Sequence, residues 1–401
     1  MSHRKEKFII IFTIFIDVLG LGILIPVLPF YVESFGLEAF GLTLLFSVFS
    51  LFSFLSAPLL GALSDTIGRR PVMILSIAST SVGWLFFALA RAPWMLFLGR
   101  IIDGAAAGNL PIAQSVLTDI AKDEQERMRN FGLMGAVFSV AFIVGPLFGS
   151  LLMLVSDSFP FFFVAALSAL NVVGAIFFLP ETHHERESYG KISLNPFLPL
   201  IRGARDTLLR SRYIAWFLFG LGISMLQSIF ALYMSEVFHI GAPGIGTIFA
   251  LMGVLMAINQ GILLHRLWLK KFSEAFLESW TFVLFTIAFL LMGTKYIPLF
   301  ALGILCNVIS QSIVRVVISS RASVIAGKHR RGEVFGIMAS VLAGAMIVGP
   351  IIGGYAFSQN PSFPFFFGAI ALFGAFLVMK FSRVSPKKEM MDENQPVPEA
   401  L

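Results

Sequence analysis

Twelve long apolar runs constrain this chain more than any other feature of its sequence. A helix needs about 20 mainly apolar residues to cross the roughly 30 Å hydrocarbon core of a bilayer. Membrane-spanning strands are about 10 residues long and alternate in polarity, whereas these runs are continuously apolar. We therefore expect an all-α membrane protein with 12 transmembrane helices. The runs, called spans 1 to 12, cover residues 8–32, 40–63, 72–90, 94–119, 131–155, 160–180, 213–237, 245–266, 276–293, 297–319, 335–357 and 363–380.

The composition excludes several classes of protein. Apolar residues make up 57% of the chain and charged residues 13%, against about 45–50% and 25% in soluble domains. A soluble enzyme, a nucleic-acid-binding protein and a disordered chain are therefore poor interpretations. The single cysteine, Cys306, excludes an internal disulfide framework. No spacing of nucleophile and base appears, so we expect no enzyme activity, no cofactor and no metal site.

The Lys and Arg residues predict the orientation in the membrane. If the N-terminus is cytoplasmic, 25 of the 29 fall in cytoplasmic segments, and only Arg91 and Lys295 fall in outer loops. We expect a multi-pass protein of the cytoplasmic (inner) membrane with both termini cytoplasmic. Span 1 follows basic residues as a signal peptide would, but its length and Asp17 favour a retained helix.

The chain repeats itself at an offset of 204 residues. Segment 131–163 and segment 335–367 are identical at 16 of 33 positions, including the Gly-Pro and Phe-Pro pairs. The two halves have the same orientation, which predicts two six-helix bundles related by a pseudo-two-fold axis. Such bundles can rock about a site between them, as in secondary transporters. The sequence GxxxxGK[ST] is absent, which argues against ATP-driven transport by this chain.

The repeat also predicts the domain organisation. We expect an N-terminal bundle over 1–180, a cytoplasmic linker over 181–212, a C-terminal bundle over 213–380 and a disordered cytoplasmic tail over 381–401.

The loop between spans 2 and 3 is a candidate gate. It reads GALSDTIGRRP over 61–71, which places an acid and two bases among small residues. Such a loop can form a cytoplasmic latch in which the carboxylate faces a helix N-terminus and the bases face an opposing acid. A plain basic loop is the alternative. The candidate gating residues are Gly61, Asp65, Gly68, Arg69 and Arg70.

This loop resembles the signature of the major facilitator superfamily. The segment from Asp17 to Pro29 in span 1 is similar to the first helix of the tetracycline-resistance branch of the drug/proton antiporters. Span 4 reads LGRIIDG over 98–104 and resembles the family's motif with a membrane-embedded arginine. The resemblance implies the major facilitator fold, with spans 1, 4, 7 and 10 lining the cavity.

Span 5 resembles the antiporter motif, and the repeat places a second copy in span 11. The functional interpretation is a bend that controls bundle movement and proton leak. The alternative is a packing kink. The residues concerned are Gly145, Pro146, Gly149, Gly349, Pro350 and Gly353.

Two departures from the branch argue against tetracycline itself as the substrate. Tetracycline exporters carry a histidine in helix 8, and Met256 stands at that position, although the neighbouring glutamine is matched by Gln260. They also carry an acid inside helix 9, and the only one here is Glu278, near the start of the helix.

Three charged residues lie deep within spans 1 and 4. An ionisable residue at the membrane centre costs at least about 2.5–3.5 kcal/mol on insertion scales and is a functional candidate by default. Arg100 and Asp103 are three residues apart and share a helix face. We expect Asp17 or Asp103 to bind the coupling proton, with Arg100 as its electrostatic partner. The alternatives are a static Arg100–Asp103 pair and a structural Asp17.

Polar residues in the cavity-lining spans are candidate substrate contacts. Asn307, Gln311 and Arg315 recur every four residues on one face of span 10. Hydrogen bonding between helices is the alternative for the two amides, and Arg315 is expected to reach towards the interface. The candidate cavity residues are Asn109, Gln114, Ser224, Gln227, Gln260, Asn307 and Gln311.

The sequence thus favours a monomeric secondary transporter that exports a lipophilic, drug-like molecule in exchange for protons. Its expected partners are the small-molecule substrate, protons and membrane lipids, and no nucleic acid. A transporter of a metabolite, siderophore or lipid-like compound is the first alternative. A sensor that moves nothing is the second.

Overall fold

The computed structural model describes residues 4–121, 123–182 and 194–382. Most of the predicted tail and the centre of the predicted linker lie outside these ranges. All the regular structure in the described ranges is helical. Eight spans are single helices: Arg4–Glu33, Ala39–Ile67, Arg69–Ala88, Glu124–Leu152, Phe159–Phe178, Arg210–Phe238, Glu274–Met292 and Phe363–Phe381, which are spans 1, 2, 3, 5, 6, 7, 9 and 12.

Span 4 is not the continuous helix that we expected over 94–119. It consists of two helices, Pro93–Ala105 and Asn109–Asp119, separated at residues 106–108. Each half is too short to cross a bilayer alone, so eleven helices in the described chain meet the length and hydropathy expected of a span. Broken helices at membrane depth occur in transporters where the freed backbone is buried in protein or lines a cavity.

The remaining spans are also irregular. Span 8 consists of Ala242–Ile258, a π-helix over Asn259–Trp268 and a final turn over Leu269–Lys271. Spans 10 and 11 form the element Ile297–Gln359, which is interrupted at Gly327, where φ is 71°. A left-handed φ suits glycine because it has no Cβ. A short linker helix, Leu198–Arg205, precedes span 7.

Local sequence explains several helix starts. Pro160 and Pro364 stand in the first turns of spans 6 and 12, where the missing N–H of proline costs nothing. Asp123 begins span 5 by accepting a hydrogen bond from the Glu126 N–H at 2.7 Å. Ser273 caps span 9 in the same way through the Phe276 N–H at 3.3 Å.

Each half of the chain packs its spans in the same pattern. Span 1 packs against spans 5 and 6, and span 7 packs against spans 11 and 12. Span 3 contacts spans 4 and 6, as span 9 contacts spans 10 and 12. This arrangement confirms the predicted fold class of two six-helix bundles.

The two bundles meet closely in their halves remote from the termini. A Cβ on Gly354 of span 11 would lie 3.1 Å from the Phe40 Cα of span 2. A Cβ on Gly246 of span 8 would lie 2.5 Å from the Pro146 carbonyl oxygen of span 5. In the opposite halves of spans 5 and 11, a Cβ on Gly132 or Gly336 would meet nothing within 4 Å. The bundles thus touch through Gly354 and Gly246 in the halves remote from the termini, whereas Gly132 and Gly336 have no such neighbour.

Candidate functional site

The break in span 4 brings a polar side chain to the centre of the N-terminal bundle. Asn109 is the first residue of the second half-helix and is 4% exposed. Gly108 precedes it, and a Cβ there would lie 2.8 Å from the Ser76 Oγ of span 3. Only a glycine permits this approach, so the break is packed tightly against span 3.

Asn109 links spans 1 and 3. Its Nδ2 donates to the Asp17 Oδ1 at 3.0 Å and lies 3.3 Å from the Thr80 Oγ1. The Thr80 side chain in turn lies beside the Asp103 carboxyl. The two acids singled out in the sequence therefore belong to one chain of contacts. Its connecting residues lie in spans 3 and 4.

Arg100 and Asp103 form the predicted pair on the first half-helix of span 4. The Arg100 Nη1 lies 3.5 Å from the Asp103 Oδ2, and the two residues are 3% and 6% exposed. Spans 3 and 4 approach closely beside them, because a Cβ on Gly83 would lie 2.8 Å from the Asp103 Cβ. The pair is therefore held in a dry, closely packed environment in which its electrostatics are strong.

The polar face of span 10 changes from buried to exposed along its length. Asn307 is fully buried, Gln311 is half-buried and Arg315 is exposed. Within the described ranges, neither amide atom of Asn307 has a hydrogen-bond partner. The exposure of this face thus increases towards the C-terminal end of span 10.

The other cavity candidates fall into two groups. Gln114, Gln227 and Gln260 are half-buried, the last of them on the π-helix of span 8. Ser224 instead lies in the contact between spans 7 and 11, where its hydroxyl is 3.1 Å from the Ala345 carbonyl oxygen. The structure therefore places Ser224 between two helices of one bundle.

The loop between spans 2 and 3 is an ionic cluster. Asp65 accepts a hydrogen bond from the Arg69 guanidinium, whose Nε lies 3.4 Å from the Asp119 Oδ2 at the end of span 4. The helix N-terminus that we expected to face a loop acid instead faces Glu181. The Glu181 carboxylate accepts the backbone N–H groups of Arg69 at 2.9 Å and Arg70 at 3.2 Å. A carboxylate at this end of a helix is favourable because the helix dipole is positive there.

Gly68 stands at the sharp turn in this cluster. Its φ is 112°, and a Cβ would collide with the Glu181 carboxylate. Both the backbone conformation and the close approach require glycine here. Gly61 lies one helical turn before Asp65, and a Cβ there would meet nothing within 4 Å.

The Gly-Pro segments of spans 5 and 11 lie at helix–helix contacts. Cβ atoms on Gly145 and Gly149 would lie 3.0 Å and 2.9 Å from backbone atoms of span 1. In span 11, a Cβ on Gly349 would meet Ser224 of span 7, and one on Gly353 would lie 3.4 Å from Met225. Pro146 and Pro350 lie inside helices. The close packing of spans 1 and 5 thus recurs between spans 7 and 11.

The acid near the start of span 9 is fully engaged. Glu278 accepts from Arg212 through its two oxygens at 2.6 Å and 3.0 Å, and from the Arg321 Nε at 2.9 Å. The carboxylate therefore ties spans 7, 9 and 10 together. The sequence had pointed to Glu278, but it counted the two arginines only as basic residues of cytoplasmic segments.

Sequence reasoning missed Thr80 and Glu181. A threonine in an apolar run carries no signal of its own, because span 3 holds several serines and threonines. Glu181 follows a proline at the end of span 6, and its position beside the helix dipole appears only once spans 3 and 6 pack. Among the described residues, no group of three or more His, Cys, Asp or Glu could hold a metal ion.

Comparison with known sequences extends over nearly the whole chain. The chain is 27% identical over 358 residues to the class E tetracycline resistance protein of Escherichia coli, covering 86% of each chain. It is 31% identical over 279 residues to the class C protein of the same organism, covering 68% of this chain and 70% of that protein. The quinolone resistance protein NorA of Staphylococcus aureus (strain MSSA476) is 27% identical over 394 residues, covering 97% of this chain and all of NorA.

Solved structures share the fold. The human organic anion transporter MFSD10 (TETRAN) superposes with a TM-score of 0.71 at 24% identity, covering 94% of this chain and 100% of that chain. A peptide transporter POT in complex with sulfate superposes with a TM-score of 0.78 at 15% identity, covering 96% and 95%. The family model of the Major Facilitator Superfamily matches residues 10–277 and 213–397. The chain therefore belongs to the Major Facilitator Superfamily of membrane transporters.

Proposed function

We propose that this protein exports a lipophilic small molecule in exchange for protons. The observation that carries the proposal is the contact chain from Asp17 through Asn109 and Thr80 to Asp103 and Arg100. It places two carboxyl groups and one guanidinium at the break of span 4, where ionisable groups are costly unless they serve a function.

Proton binding at this site changes the balance of charge. With Asp103 ionised, the pair with Arg100 is neutral. With Asp103 protonated, the site gains one positive charge. The protonated site then repels a cationic substrate, whereas the neutral, deprotonated pair does not. Proton and substrate would thus bind alternately, which is the requirement for exchange.

The coupling requires that the site face each side of the membrane in turn. The two bundles are in contact through Gly354 and Gly246 on the side away from the termini. With the termini cytoplasmic, as the Lys and Arg distribution indicates, this arrangement is inward-facing. The contacts of Arg69 with Asp65 and Asp119 are already present in this arrangement. We assign the protein to the inner membrane, as a monomer.

The proposed substrate class follows from the relatives and from span 10. The named relatives are resistance proteins for tetracycline and for quinolones. The half-buried Gln311 offers a neutral hydrogen-bonding group on span 10, and the buried amide of Asn307 lies one helical turn before it. Such a surface suits a mostly apolar molecule with a few polar atoms.

Reconstitution in liposomes tests the proposal. Proteoliposomes made acidic inside are given radiolabelled ethidium, tetracycline or a quinolone in the external medium. We expect at least one compound to accumulate as protons leave, and a protonophore to abolish that accumulation. Accumulation that persists without the gradient would contradict proton coupling. Failure of every compound in an expanded drug and metabolite panel would favour a protein that transports nothing.

A further inference from the structure

The Arg100 side chain is held by very few polar contacts. Its charge is 3% exposed, and its carboxylate partner is 3.5 Å away. Within the described part of the chain, its Nε and Nη2 have no hydrogen-bond partner. A buried guanidinium with five N–H donors normally has more partners than this. Something other than hydrogen bonding must stabilise the charge.

Three aromatic rings surround the guanidinium. Its central carbon lies 4.5 Å from the ring centroid of Trp84, 4.6 Å from that of Phe87 and 5.5 Å from that of Phe49. All three distances fall within the range for cation–π attraction, which is stronger when the cation is desolvated. We call these three residues the aromatic cage.

The rings of the cage are fixed by their own neighbours. Trp84 stacks on Phe161 with centroids 6.0 Å apart, and a Cβ on Gly20 would lie 3.1 Å from the indole. The Phe87 carbonyl accepts a hydrogen bond from the Tyr31 hydroxyl. Two of the three rings are therefore held by contacts outside the cage.

Few charges compete with the cage near Arg100. Asp103 lies on the same half-helix, and Asp17 of span 1 is joined to it through Asn109 and Thr80. Spans 2 and 3, which carry the cage, have no titratable residue between Ala39 and Ser64 or between Pro71 and Ala88. When Asp103 takes up a proton, Arg100 loses its adjacent counterion, and the rings remain.

We propose that Trp84, Phe87 and Phe49 are positioning residues that hold the Arg100 guanidinium in place while Asp103 carries a proton. This inference rests on the proposed proton coupling. The cage stabilises the protonated state more than the ionised state, because the guanidinium moves closer to the rings once its carboxylate partner is neutral. Removing a ring should therefore make Asp103 release its proton more readily, at a lower pH.

The test measures protonation of Asp103 without transport. Dicyclohexylcarbodiimide modifies protonated carboxyls in apolar surroundings, and mass spectrometry reports labelling at Asp103 and Asp17 across a pH series. In Trp84→Leu we expect the Asp103 midpoint to fall by about one pH unit, which is a tenfold loss of proton affinity. Trp84→Phe keeps a ring, so its Asp103 midpoint should stay close to that of the wild type. The labelling midpoint of Asp17 should shift less, because its hydrogen-bond partner Asn109 is unchanged.

Phe285→Leu is the matched control. Phe285 is also fully buried among aromatic rings, but it lies in span 9 of the other bundle. It should lower thermal stability without moving the Asp103 midpoint. An unchanged Asp103 midpoint in a folded Trp84→Leu protein would overturn the proposed role of the cage. An equal shift in Phe285→Leu would do the same. A shifted midpoint in a protein that shows no proton-coupled transport would support the cage and refute the proposed function.

Discussion

Asn109 donates a hydrogen bond to Asp17 at 3.0 Å from the first residue after the break in span 4. The half-helix that begins there therefore places its first side chain against the acid of span 1. Half-helix N-termini next to anionic groups recur at the binding sites of transporters. The break in span 4 and Asp17 thus form one site, although Asn109 and Asp17 lie 92 residues apart in sequence.

Replacing Asn109 tests whether the link between the acids matters. Asn109→Leu keeps the branched shape but removes the donor, and the lost hydrogen bond should reduce gradient-driven uptake about tenfold. Asn130→Leu is the control, because Asn130 is equally buried and, within the described ranges, its side chain donates only to the Leu117 carbonyl at 3.0 Å. It should leave the pH dependence of uptake unchanged. Equal pH profiles for Asn109→Leu and wild type would contradict the role of the link.

The close approach of spans 3 and 4 predicts that Gly83 tolerates no side chain. In Gly83→Val, the new atoms would overlap Asp103 and the Gly99 carbonyl oxygen, both 2.8 Å from a Cβ. Overpacking of this kind costs about 1–3 kcal/mol, so the thermal midpoint in detergent should fall. Gly174→Ala is the control, since a Cβ there meets nothing within 4 Å. Matching midpoints for the two variants would show that the spans can separate freely.

Glu278 is predicted to stabilise the C-terminal bundle. Glu278→Gln leaves Arg212, whose side chain is 3% exposed, without its carboxylate, and breaking a buried pair costs about 3–5 kcal/mol. We expect a large fall in the midpoint of thermal unfolding. Glu33→Gln alters an exposed carboxyl and should change stability little. A small effect of Glu278→Gln would mean that the ion pairs of Glu278 with Arg212 and Arg321 contribute little to stability.

Gly68 and Glu181 should behave as one unit. Glu181→Ala removes the acceptor at the start of span 3 and should cost about 1 kcal/mol. Gly68→Ala adds both the strain of a left-handed φ and a collision with the Glu181 carboxylate. The double variant relieves the collision, so its loss of stability should be smaller than the sum of the two single losses. If the loss of stability in the double variant equals the sum of the two single losses, the predicted contact between residue 68 and Glu181 is contradicted.

The sequence predicted the fold because its signals are strong and local. Length and hydropathy define the spans, and the repeat relates the two halves. The charges of Asp17, Arg100 and Asp103 stood out because an ionisable group in an apolar run is rare. Their joining through Thr80 could not be predicted, since it depends on how spans 1, 3 and 4 pack.

The misassigned details have a common physical cause. The break in span 4 falls at Gly108 and Asn109, just before Pro111, but the prediction treated these residues as part of one apolar run. The aromatic cage uses Trp84 and Phe87 from a chain with 44 phenylalanines, and composition cannot distinguish a ring that faces a cation from one that faces lipid. Arg212 and Arg321 obey the positive-inside pattern, which concealed their contacts with Glu278.

Transport by Asp103→Asn tests the central claim most directly. The variant keeps the shape of the side chain but cannot bind and release a proton. In proteoliposomes, for a compound that the wild type accumulates, we predict that pH-driven uptake is lost while exchange of labelled for unlabelled compound without a gradient continues. Normal pH-driven accumulation by Asp103→Asn would contradict the assignment of this buried acid to proton coupling.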